Sequence, residues 1–174
     1  MPRNIPHLPL IIMGAILIFG FYLRVESAME TRVVQPLIKD ARLYYQYAYN
    51  LRYNHIYSNQ AVDMGSAAIK PDAVCTPGYP LFILPLIHGS PDRAVHRIRF
   101  SHVVISTMTI VLSFLFFQNF LPQFWSGAAS LLVALSPHLV IANSYILTET
   151  LFCFLIVIMG WAVTSRITNP TFGS

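Results

Sequence analysis

Charged residues are scarce in this sequence. Lys, Arg, Asp and Glu make up only 10% of the 174 residues, whereas 55% are hydrophobic. Soluble domains carry about 25% charged residues, so an ordinary soluble domain is excluded and a membrane protein is predicted. No dense run of Lys or Arg accompanies the net charge of +4, which argues against nucleic acid as a partner. The expected partners are membrane lipids or a phosphate-bearing substrate.

Cysteines and familiar catalytic motifs are scarce as well. The two cysteines are Cys75, in a loop, and Cys153, in an apolar run, so no disulfide between them is predicted. No G-x-x-x-x-G-K, G-x-S-x-G or paired C-x-x-C pattern occurs, and no histidines have a metal-ligand spacing such as H-E-x-x-H. These absences argue against soluble-type nucleotide and protease chemistry and against a histidine metal site.

Four apolar runs predict four transmembrane helices, over residues 8–23, 98–121, 124–143 and 145–165. The first run ends at Arg24 and is short for a span, which needs about 20 apolar residues, so an interfacial helix or a cleaved signal is its alternative. Pro137 should bend or end the third span. The sequence therefore predicts an all-α polytopic membrane protein with residues 1–174 as one membrane module.

Nearly all the charge lies in one predicted loop, over residues 24–97. Together with the two residues that follow, this region holds nine of the 11 Lys and Arg and six of the seven acidic residues. The positive-inside rule would place it in the cytoplasm, but that rule is reliable mainly for loops shorter than about 60 residues. Composition alone therefore leaves the orientation open.

Two helix starts are predicted at the end of this loop. Pro77 and Gly78 break the chain before a short apolar helix over Leu81–His88, which is too short to span a bilayer. Ser90 as N-cap and Pro91 at the first helical position then predict the start of the helix that becomes the second span.

The segment Val33–Tyr57 contains six of the nine tyrosines and is predicted to be a helix with Pro36 in its first turn. Asp40, Tyr44, Tyr47 and Leu51 then share one face, at helical spacing. That face is a candidate functional surface. The alternative is an amphipathic helix at the membrane surface with its tyrosines among the headgroups, which leaves Asp40 without a role.

Two carboxylates are candidate site residues. Asp40 could act as a general base toward a hydroxyl or bind a divalent cation through its oxygens, and a solvated interfacial charge is the alternative. Glu149 is predicted to lie one turn inside the fourth span, where a charge costs about 2.5–3.5 kcal/mol and usually faces a cavity or a partner. A snorkelling residue at the end of the span is the alternative for Glu149.

A basic cluster precedes the second span. Arg93 and Arg97 lie four residues apart on one helical face, accompanied by His96 and Arg99. Guanidinium groups match phosphate oxygens with two parallel hydrogen bonds, so a phosphate site is one interpretation. An anchor that binds lipid headgroups is the other.

Three segments in order, LIKDARLYYQYAYNL, TPGYPLF and ALSPHLVIANSYILTETLF, resemble the amino-terminal half of a polytopic glycosyltransferase. The family is the GT-C fold type of the protein O-mannosyltransferases and aminoarabinose transferases. The resemblance covers about residues 8–165. TPGYPLF and the S-x-x-L-T-E-T-L-F pattern are its more specific parts.

The resemblance implies an inverting enzyme of a bacterial inner membrane, with the large loop extracytoplasmic. It would transfer a sugar from a polyprenyl-phosphate donor to an acceptor hydroxyl. Asp40 would be the catalytic base or orient the acceptor, and the basic cluster with Arg93 and Arg97 would lie near the donor phosphate. Glu149, at the mouth of the later span, would have a structural or a site-lining role, and Tyr44 would contribute to substrate binding.

The chain departs from this family in two ways. Family members have further spans and usually a soluble carboxy-terminal domain, so the module is expected to be incomplete. Ala41 stands where some members carry a second acidic residue, so the cofactor stays undetermined, with a divalent cation as one candidate.

The alternative function is a non-catalytic scaffold or partner subunit, paired with a second polypeptide that completes the fold. A transporter with Glu149 in an ion path is disfavoured.

Overall fold

The structure is a computed structural model, and it describes residues 8–60 and 69–168. These residues form seven α-helices, two short 3-10 helices and no strand. The α-helices are α1 (Leu8–Glu30), α2 (Asp40–Tyr53), α3 (Gly78–Ile83), α4 (Pro91–Phe117), α5 (Gln123–Leu135), α6 (Pro137–Ile141) and α7 (Glu149–Thr168), and the 3-10 helices are Leu84–Leu86 and Ala142–Ser144. The all-α prediction is confirmed.

By length and composition, α1, α4 and α7 can each cross a membrane. The pair Gln123–Leu135 and Pro137–Ser144 is bent by 51° and makes a fourth span if it is counted as one. The bend at Pro137 was predicted, because proline has no N–H to continue the helix. The chain is therefore a helical membrane protein.

Three helix boundaries in the apolar part of the chain differ from the prediction. The helix of the second span, predicted to reach residue 121, ends at Phe117. The first helix does not end at Arg24 but continues to Glu30, because the Arg24 side chain finds hydrogen-bond acceptors inside the fold. The last helix begins at Glu149. The prediction that Glu149 lies one turn inside a span was therefore wrong. Its negative charge instead occupies the first turn, where the helix dipole is favourable.

The chain divides into two compact units, and unit 1 comprises residues 8–31, 102–144 and 149–168 of the described chain. Its core contains Ile16, Ile110 and Ala134, from α1, α4 and α5. Gly20 allows α1 to pack closely there, since an added Cβ would lie 2.7 Å from Ile110 Cδ1 and 3.3 Å from Ala134 Cβ. At the other end of α4, Asn119 Nδ2 donates to Thr164 Oγ1 of α7 at 3.1 Å.

Unit 2 comprises residues 32–60, 69–101 and 145–148 of the described chain. In this unit the Asp72 carboxylate accepts several hydrogen bonds. The Tyr47 hydroxyl donates to it, and the Ser58 hydroxyl donates to it at 2.9 Å. The backbone N–H of Asn59 donates to the same carboxylate at 3.0 Å. Asp72 thus anchors the loop to α2.

Two helices of unit 2, α2 and α3, begin at other residues than predicted. Pro36 lies outside α2, which starts at Asp40, because Lys39 has φ +49° and ψ −122° and so interrupts the helix. The short apolar helix starts at Gly78, three residues earlier than predicted. Pro80 is tolerated inside it because the first four N–H groups of a helix have no helical acceptor. The predicted start of α4 at Pro91 is confirmed.

Candidate functional site

Asp40 is an exposed carboxylate at the first residue of α2. The N-terminus of a helix favours a negative charge, and no described side chain forms an ion pair or hydrogen bond with this one. Burial raises the pKa of the Cys75 thiol, a hydrogen-bond interaction with Tyr57 opposes that shift, and the charge of Asp40 adds to it. Asp40 therefore lies within electrostatic range of Cys75, the residue before the TPGYPLF segment.

Tyr44 joins α2 to the same segment. Its ring packs edge-on against Tyr79, with ring centroids 5.0 Å apart and an interplanar angle of 71°. Such aromatic pairs contribute about 0.5–1.5 kcal/mol beyond their buried area. Tyr44 is half-buried and Tyr79 is buried. Two of the three segments that carry the resemblance are thus packed together in unit 2.

Tyr57 binds the residue that precedes TPGYPLF. Its hydroxyl donates to the carbonyl of Cys75 at 2.9 Å, and its ring stacks on Tyr47 at a centroid distance of 4.3 Å. Burial raises the pKa of Tyr57 to about 12, helped by its interaction with Cys75. The hydroxyl therefore stays protonated at neutral pH and continues to donate. We call Asp40, Tyr44, Cys75 and Tyr79 the Asp40 site.

Of the two predicted phosphate ligands, Arg97 is engaged within the fold. Its Nε donates to the carbonyl of Leu86 at 2.9 Å, and its Nη2 donates to the carbonyl of His88. These bonds close the turn between α3 and α4 and use part of the guanidinium fork. Arg93 is exposed on the surface of α4. Both residues belong to unit 2, as do Asp40 and Tyr44.

Glu149 is exposed and is the first residue of α7. It belongs to unit 1, which contains none of the other predicted site residues. Among the described residues, no group of three or more His, Cys, Asp or Glu side chains is arranged to hold a metal ion.

Sequence reasoning missed the role of Arg24. This side chain has 0% exposure inside α1. Its Nε donates to Ser106 Oγ at 2.7 Å, and its Nη1 donates to the carbonyls of Gly20 at 2.9 Å and Ala134 at 3.0 Å. Its Nη2 donates to the carbonyl of Val133 at 3.3 Å.

The two α5 carbonyls explain why an arginine is stable there. The last four carbonyls of a helix have no helical donor, and the Val133 carbonyl would need the N–H that Pro137 lacks. Arg24 therefore caps the broken end of α5. Two sequence features together could have indicated this cap. One is a lone arginine at the end of an apolar run, and the other is a proline inside a predicted span.

Arg99 was placed in the basic cluster but not singled out. The structure leaves only 9% of it exposed, and its Nε has no hydrogen-bond acceptor among the described residues. Arg93, by contrast, is exposed, and Arg97 is only half-buried and donates hydrogen bonds to two carbonyls. Helical spacing alone could not separate the three, because it does not show which neighbours cover each side chain.

Comparison of the chain with models of known protein families, with curated proteins and with solved structures found no match.

Proposed function

We propose that this chain is the amino-terminal module of an inverting glycosyltransferase with Asp40 as its general base. The sugar would come from a polyprenyl-phosphate donor and pass to an acceptor hydroxyl on the extracytoplasmic side of a bacterial inner membrane. The observation that supports this most is the packing of the Asp40 helix against TPGYPLF through Tyr44 and Tyr79.

The exposed carboxylate suits this chemistry. In the proposed step the acceptor oxygen attacks the anomeric carbon on the face opposite the polyprenyl phosphate. As the new C–O bond forms and the bond to the phosphate breaks, Asp40 takes the hydroxyl proton. Because Asp40 is exposed and forms no described hydrogen bond, an acceptor can approach its oxygens directly. Tyr44, Arg93 and Arg97 remain predicted residues of the substrate site.

The test replaces Asp40 in the full-length protein in its own membranes. A panel of radiolabelled polyprenyl-phosphate hexoses and pentoses is supplied, and transfer of label to endogenous acceptors is measured. Asp40→Asn should lower transfer roughly a hundredfold or more at unchanged membrane abundance, since general bases contribute about 10²–10⁴-fold. Asp92→Asn is the matched control, because Asp92 is another exposed acid in the first turn of a helix. Equal transfer by both variants would remove Asp40 as the base.

A second candidate, a non-catalytic partner subunit, is favoured by the exposure of α7. Only 6% of its most apolar window is buried within the protein. Its large exposed apolar side chains are Phe152, Leu155, Ile156, Met159, Val163 and Ile167. If these residues pack on a helix of another polypeptide, Met159→Asn should shrink the native complex in mild detergent. Ile18→Asn, at an exposed position of α1, is the control, and equal sensitivity of the two would argue against a specific partner.

A further inference from the structure

Arg99 lies on the buried side of the first turns of α4. Its neighbours on this part of the helix, Val95 and Ile98, are also buried. The Arg99 side chain has 9% exposure, so its cationic group is largely withdrawn from water. Removing a charge from water is costly unless other groups compensate it.

No described group compensates this charge. The buried Nε of Arg99 has no hydrogen-bond acceptor, and no described carboxylate forms an ion pair with the side chain.

Arg24 shows that burial alone does not leave an arginine without acceptors. That side chain is fully buried and yet donates four hydrogen bonds. The buried Nε of Arg99 has no acceptor, and guanidinium groups match the oxygens of a phosphate with parallel hydrogen bonds.

The geometry points to a binding site for a phosphate group at Arg99, and we propose that the phosphate is that of a membrane lipid. A lipid is favoured because α4 is long and apolar enough to cross a membrane, and Arg99 lies in its first third. Arg97 already holds two carbonyls, and Arg93 is exposed to water, where its attraction for an anion is screened. The inference does not depend on sugar transfer.

The test uses the full chain in dodecyl maltoside in a phosphate-free buffer. Thermal unfolding is followed by far-ultraviolet circular dichroism with dioctanoyl phosphatidic acid, with dioctanoylglycerol, which lacks the phosphate, or with inorganic phosphate. A ligand at a hundredfold excess over its dissociation constant should raise the midpoint by about 5 °C. Phosphatidic acid should do so and dioctanoylglycerol should not. An equal rise with inorganic phosphate would overturn the assignment to a lipid, and no rise with either phosphate would overturn the site.

Variants assign the effect to Arg99. Arg99→Gln should abolish the rise without lowering the lipid-free midpoint, because no hydrogen bond of the native fold is lost. Arg32→Gln, at an exposed arginine of the same unit, should keep the rise, and Arg99→Lys should weaken lipid affinity about tenfold by loss of the fork. A rise that persists in Arg99→Gln, or vanishes equally in Arg32→Gln, would overturn the proposal.

A lower lipid-free midpoint in Arg99→Gln would also overturn it, because the side chain would then have a structural partner. The outcome is separate from the proposed transferase. Lost lipid binding says nothing of Asp40, and a transfer defect in Asp40→Asn with intact lipid binding would say nothing against Arg99.

Discussion

Two arginines of this chain are buried in helices that can cross a membrane, and they have opposite surroundings. Arg24 in α1 donates to a hydroxyl and three carbonyls, whereas the Nε of Arg99 in α4 has no acceptor among the described residues. The first belongs to unit 1 and the second to unit 2. The difference shows that a buried cation indicates a ligand only after its hydrogen bonds have been accounted for.

In unit 1 a buried cation and a set of helix carbonyls without donors satisfy each other. A cation inside an apolar helix needs acceptors, and the helix end before Pro137 has carbonyls without donors. Arg24 satisfies both needs. Nothing comparable is described for Arg99, which is why we assign a ligand to one arginine and a structural role to the other.

The largest expected effect separates the two arginines directly. Arg24→Leu leaves the carbonyls of Val133 and Ala134 without donors and should cost about 3 kcal/mol, since each unsatisfied buried group costs about 1–3 kcal/mol. Arg99→Leu should change the free energy of unfolding by less than about 0.5 kcal/mol or raise it. Urea unfolding in detergent measures both. Equal losses would mean that Arg99 also has a structural partner.

The next effect tests the Arg24 cap without changing Arg24. Gly20→Val places carbon atoms against Ile110 and within 3.4 Å of Arg24 Nη1, so it should cost about 1–3 kcal/mol by overpacking. Gly14 is the matched control, because a Cβ added there meets nothing within 4 Å. Gly14→Val should leave the unfolding midpoint nearly unchanged. If the two variants behave alike, close packing of α1 is not what supports the cap.

Local patterns were enough to predict much of this fold. Apolar runs predicted the long helices, Pro91 predicted the start of α4, and Pro137 predicted the break between α5 and α6. Each depends on a few consecutive residues. The end of α1 was missed because Arg24 is satisfied by carbonyls 109 and 110 residues away in the sequence.

The candidate site was predictable only in part. Spacing placed Asp40 and Tyr44 on one helix, and TPGYPLF was recognised as a distinct segment. That Tyr44 packs on Tyr79 depends on the path of the loop, which no local rule determines. The start of α2 at Asp40 depends on the positive φ of Lys39, a conformation that the lysine side chain gives no reason to expect.

A smaller effect extends the comparison to carboxylates within unit 2. Asp72 accepts hydrogen bonds from two side chains and a backbone N–H, whereas Asp40 has no described hydrogen bond. Asp72→Ala should therefore lower the free energy of unfolding by about 1–2 kcal/mol. Asp40→Ala should lower it by less than about 0.5 kcal/mol. Thermal unfolding measures both, and a loss in Asp40→Ala as large as that in Asp72→Ala would give Asp40 a structural role.

The smallest expected effect tests whether the unpartnered charge of Asp40 reaches Cys75. Burial is the main reason that the pKa of this thiol is raised, and the charge of Asp40 raises it further. Asp40→Asn should therefore lower the Cys75 pKa slightly and increase the thiolate fraction at a given pH below it. Alkylation by iodoacetamide, which needs the thiolate, should then be about twofold faster. Cys153→Ser in every variant leaves Cys75 as the only thiol. Asp92→Asn should leave the rate unchanged, and an unchanged rate in Asp40→Asn would place Asp40 too far from TPGYPLF to serve one site with it.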